Sequence, residues 1–232
     1  MLAVALFAVL DLALGIPQEV EKWAFCWIGW ESIGNSNWFV FDTLVFYFMA
    51  LILMLGLKKR SGAVYCAWLS VLCVVFWLVM RLARGVETWW YDTILCFPAG
   101  AWYGLLKERI DAAAQKTAVW WCGLAAIGVA FGALYFYGHI AAFSLCAALF
   151  CVLVVWVTMK VRLQNGVLLW LGRRSFSIYI TQRLPMILLS HLGWNSNKPL
   201  FVALTLMTVF PVAEGFHRLL KIVDKRLFAE RF

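Results

Sequence analysis

The chain has 232 residues, 65% of them hydrophobic and 14% charged, with mean hydropathy +0.86 and a formal net charge of +8. A soluble domain of this size is roughly half apolar and about a quarter charged, so a water-soluble globular class is excluded and an integral membrane protein is indicated. The positive balance does not require a nucleic acid, because no polar domain is present on which the basic residues would cluster.

In chain order, eight apolar runs come close to the length of about 20 residues that a spanning helix needs. They are 2–16, which is short and carries Asp11, then 38–57, 63–82, 89–106, 117–136, 140–159, 175–192 and 199–216. Period-2 alternation is absent from them, which argues against an outer-membrane barrel. The expected fold is therefore all-α: a polytopic membrane helix bundle of about eight transmembrane helices, forming a single domain over residues 1–232. The opening segment lacks a basic start and a small-residue cleavage site, so it reads as a span and not as a signal peptide.

The connections 58–62, 107–116 and 160–174, together with the tail after Phe216, hold 15 of the 20 Lys and Arg residues. Positive charge collects on the cytoplasmic side, so these segments and both termini are expected inside. Segments 17–37, 83–88, 137–139 and 193–198 are then outside. A multi-pass protein of the plasma (inner) membrane follows, with the bilayer as its first partner. The seven cysteines show no C-x-x-C spacing, so neither a disulfide frame nor a metal site is expected.

Several polar groups stand out against this background. Segment 23–38, WAFCWIGWESIGNSNW, holds four tryptophans around Glu31, Asn35 and Asn37. It reads as an interfacial belt, or as a carbohydrate-facing lip in which Trp38 and Glu31 meet the acceptor. Asp42 and Asp92 sit just inside the outer ends of their spans, where each is expected either to pair with Arg81 or to contribute to an acceptor site. Arg183 falls inside a span, with Glu214 of the last span as its candidate partner. Pro98, Gly100 and Gly104 read as a kink with close helix packing. Histidine is scarce, and His191 and Asp92 are the candidates for a general base.

The segment 171–185, LGRRSFSIYITQRLP, resembles the signature L-G-x-x-S-[YF]-x-I-Y-[LI] of the acyltransferase 3 family. Phe97-Pro98-Ala99-Gly100 with Trp102 and Gly104, the start of the span at Asn37–Phe39, and Glu214 before the basic tail are similar to further family elements. The resemblance implies a membrane O-acyltransferase that moves an acyl group, acetyl above all, from acyl-CoA to a hydroxyl of a cell-surface carbohydrate, without a metal. With an acyl-CoA donor, Arg183 and the doublet Arg173 and Arg174 read as contacts for its phosphates, or, for the doublet, as an ordinary anchor on the cytoplasmic side. The resemblance also implies ten spans and an early catalytic histidine. This chain supplies eight spans and no histidine before His139, so it is expected to lack the first two spans. Two other classes fit the composition: a non-catalytic membrane scaffold and a small-molecule transporter.

Overall fold

The computed structural model describes residues 2–35, 37–58, 60–82, 88–138 and 140–228. Among them the secondary structure is helical throughout, in keeping with the all-α reading: α1 Leu2–Leu14, α2 Val20–Cys26, α3 Trp38–Gly56, α4 Gly62–Leu82, α5 Cys96–Gln115, α6 Thr117–Tyr137, α7 Ile140–Thr158, α8 Gly166–Thr181, α9 Arg183–His191 and α10 Lys198–Phe228. Four described helices are long and apolar enough to cross a membrane: Trp38–Gly56, Gly62–Leu82, Thr117–Tyr137 and Lys198–Arg226. Two shorter apolar helices, Leu2–Leu14 and Ala142–Thr158, accompany them. Large apolar side chains cover the outer faces of these helices, as expected where lipid replaces water as the solvent.

Two elements differ from the reading by hydropathy. The run 89–106 predicts one helix, whereas the chain forms a 3₁₀ turn at Thr88–Trp90 and then turns until α5 begins at Cys96. Pro98 lies in the first turn of α5, where its missing N–H breaks no hydrogen bond, so it starts a helix instead of kinking one. The run 175–192 is likewise split between α8 and α9 at Gln182. Pro185 cannot donate to the carbonyl of Thr181, and its ring crowds that carbonyl, which places the break there.

The chain divides into two compact units, with the boundary inside α3. The first comprises 1–41 and 164–232. Val4, Phe7, Cys26 and Ile33 form its core, with Trp23, Leu184 and Ile187 packed against them. Asn165 caps α8 by accepting from the N–H groups of Val167 and Leu168, and α10 packs along both α8 and α9. Gly34 has φ +96, and a Cβ there would lie 2.7 Å from Ile187 Cδ1, so only glycine fits this turn.

The second unit comprises 42–163. Phe46, Leu69, Cys73, Met80 and Ile94 fill its core, and the Phe46 ring stacks on Phe97 at 4.7 Å. Trp77 donates to Ser144 Oγ at 2.8 Å. Trp120 and Trp156 each donate an indole N–H to the other's backbone carbonyl at 2.9 Å, which ties α6 to α7.

Candidate functional site

In the first unit, the ends of α1, α9 and α10 enclose an open cleft of about 420 Å³ lined by Ile16, Arg183, Met186, Ser190, His191 and Phe201. Arg183 and His191 open and close the nine-residue α9. Eight residues apart, they are separated by about 12 Å along the axis. Both side chains are exposed, as is Ser190. A charged residue within a membrane-length run is tolerated where it meets a wet cavity, and that is where Arg183 stands. α9 begins just after the break at Gln182, whose own dihedrals remain helical. Asn195 donates to Ser190 Oγ at 3.4 Å and links the turn after α9 back to the cleft's rim.

Arg183 has no carboxylate partner among the described residues. Glu214 instead takes Arg174, which donates through Nε, and Arg218, whose Nε lies 2.9 Å away. The expected Arg183–Glu214 pair is thus replaced by one with Arg174, nine residues earlier on α8. The guanidinium of Arg174 also lies over the Trp170 ring, 4.5 Å from its centroid. Arg174 is therefore neutralised and held in place, whereas Arg173 is exposed beside it.

Segment 27–38 is knitted to itself. Asn37 Nδ2 donates to the carbonyls of Cys26 at 2.8 Å and Glu31 at 3.0 Å, and the side chains of Asn35 and Asn37 bond to one another. Asn35 Oδ1 accepts from the N–H of Ile33 at 3.1 Å, and Ser32 donates to the carbonyl of Asn35. Both amides are buried, so they close the loop and do not face an acceptor. Glu31 and Trp38 stay partly accessible. Trp38 meets Tyr179 edge-on at 6.4 Å and Phe39 approaches it at 5.1 Å, an aromatic cluster in which sequence reasoning left Tyr179 unassigned.

In the second unit, Asp42 is 3% exposed, and neither of its carboxylate oxygens has a hydrogen-bond partner among the described residues. Asp92 lies in the turn before α5 with one buried oxygen in the same state. Among the described residues, neither pairs with Arg81, whose guanidinium lies over Trp77 at 5.0 Å. That contact joins residues four apart on α4, so it steadies the arginine within its own helix and does not replace an Asp–Arg pair between spans. Gly100 and Gly104 differ from expectation too: a Cβ at either would meet nothing within 4 Å, so they line open space and not a tight helix contact.

Comparison with family sequence models finds the acyltransferase domain of the acyltransferase 3 family, matched over residues 1–213. Searches of curated proteins and of solved structures gave no match.

Proposed function

The chain belongs to the acyltransferase 3 family of membrane acyltransferases, and from that premise we propose that it transfers an acyl group, acetyl in the simplest case, from acyl-CoA to a hydroxyl of a cell-surface carbohydrate at the plasma (inner) membrane. The observation that carries the reading is the open cleft in which one short helix presents Arg183 and His191. Under the charge asymmetry of the connections, His191 lies at the outer end of the cleft and Arg183 deeper.

In this scheme the His191 imidazole removes the proton from the acceptor hydroxyl as its oxygen attacks the thioester carbonyl. The tetrahedral intermediate collapses to the ester and expels the CoA thiolate, which takes the proton back from the imidazolium. Arg183, about 12 Å deeper along α9, meets an anionic part of the donor and not the reacting carbonyl. Its planar fork suits a phosphate. Arg173, exposed midway along α8, is the second candidate for the donor's phosphates, while Arg174 holds Glu214. In the first unit, Trp38 and Glu31 are candidates on the acceptor side.

Membranes containing this chain, supplied with radiolabelled acetyl-CoA, test the proposal. The expected result is labelled carbohydrate, with His191→Ala lowering kcat about 10²–10⁴-fold, the usual contribution of a general base. Arg183→Ala is expected to act mainly on KM for the donor. Labelling that persists in His191→Ala and disappears in Asp92→Asn moves the base to Asp92. No labelling above empty membranes rejects the enzymatic reading in favour of a non-catalytic scaffold.

A further inference from the structure

The second unit contains a groove that the acyl-transfer reading does not use. Between α5 and α7, floored by Ile127 of α6, lies an almost wholly apolar cavity of about 330 Å³ walled by Gly100, Trp102, Val152 and Val155. Its lining on α5 runs from Cys96 to Ile110, about 21 Å at 1.5 Å per residue. One leaflet of a bilayer core is about 15 Å deep, half of the whole, so the groove accommodates the length of a single lipid chain. Gly100, Cys151 and Val152 are exposed along it.

At the end nearer Lys107 the lining changes character. Tyr103, Val155 and Met159 pass from the apolar cavity into an adjoining polar one that adds Lys107, Asp111 and Lys160. Asp111 is already engaged: Lys107 bonds to it and holds its carboxyl below the usual range, and Tyr103 donates to it at 3.1 Å. Lys160 reaches Thr117 Oγ1 at 3.2 Å and lies 5.6 Å from the Trp120 centroid, with no carboxylate partner among the described residues. Two lysines against one aspartate leave the mouth with one net positive charge. This end carries the basic connections that mark the cytoplasmic leaflet, where anionic lipids concentrate.

We infer that this groove is a binding site for an anionic membrane phospholipid. One acyl chain lies against Gly100 and Val152, and the phosphodiester lies at Lys160. The rim is open along the hydrocarbon depth, which suits a ligand arriving from the bilayer, and a single phosphodiester charge matches the charge of the mouth.

Native mass spectrometry of the full chain, released from mild detergent and offered phosphatidylglycerol or phosphatidylcholine, reads the first lipid retained. Phosphatidylglycerol is expected at roughly fivefold higher occupancy, the effect of one basic residue at a lipid surface. The preference is lost in Lys160→Gln. In Gly100→Phe the retained lipid itself is lost, since the new ring enters space that is open at that position. Equal retention of the two lipids, or unchanged binding by Gly100→Phe, overturns the assignment. So does displacement of the lipid by an equal concentration of palmitoyl-CoA, which would make the groove a donor site. Where a variant does not fold, the unaltered protein still decides. Phosphatidylglycerol is expected to slow maleimide modification of Cys151 and leave that of Cys122 unchanged, and an absence of protection overturns the proposal.

Discussion

Arg174 makes two contacts at once, an Nε donation to Glu214 and a face-on contact with Trp170. Its side chain is 18% exposed, against 75% for Arg218, the other partner of Glu214. Exposed ion pairs contribute little, so Arg174→Ala is expected to lower the thermal midpoint clearly more than Arg218→Ala, with Arg174→Lys in between. Equal effects would remove the distinction. Asp42 predicts the reverse sign. A buried acceptor without a donor costs about 1–3 kcal/mol, so Asp42→Leu is expected to stabilise the fold by that order, read as a higher thermal midpoint in detergent. A destabilised Asp42→Leu would mean that the carboxylate serves packing. These details were only partly legible in the sequence. The isolated charges were plain, but their partners were not, because depth along an assumed straight span hides the break at Gln182. Arg174 was assigned to the connection before a span, whereas it lies midway along α8, level with Glu214 in the middle of α10.

Helix boundaries followed local chemistry more closely than hydropathy. Asn165 supplies two capping bonds at the start of α8, and Asn165→Ala is expected to cost about 1 kcal/mol, measured by thermal melting in detergent. In α6, glycines of identical type have opposite surroundings. A Cβ at Gly123 would press into the Trp156 indole, while one at Gly128 or Gly132 meets nothing within 4 Å. Gly123→Ala is thus expected to destabilise by about 1–3 kcal/mol, and Gly128→Ala to gain up to roughly 1 kcal/mol of helix propensity. Hydropathy found the apolar segments but misplaced the start of α5, because Trp89, Trp90 and Tyr91 are apolar enough to extend the run while the backbone there turns. The groove between α5 and α7 left no readable mark, since small residues look alike whether they admit a helix or leave a void.

At the scale of the molecule, the distribution of lysine and arginine makes a claim about sidedness that is independent of any contact. Single cysteines in place of Ser61 and Ser196 are expected to react with a membrane-impermeant maleimide from opposite faces, the first only after the cytoplasmic side is opened. Mapping by peptide mass separates them from the seven native thiols. Reaction of both from one side would overturn the orientation. Membrane class and family were legible from the sequence because each depends on many residues at once. The open cleft on α9 was not, because its lining comes from residues as far apart in the chain as Ile16, His191 and Phe201.

The paired tryptophans of α6 and α7 also bear on biosynthesis. Trp120 and Trp156 satisfy each other across 36 positions, so when α6 leaves the ribosome its indole N–H has no counterpart until the following helix emerges. The two helices are therefore expected to enter the bilayer as a hairpin. Translation stopped between them would leave α6 retained at the insertion machinery, and release would coincide with the arrival of Trp156.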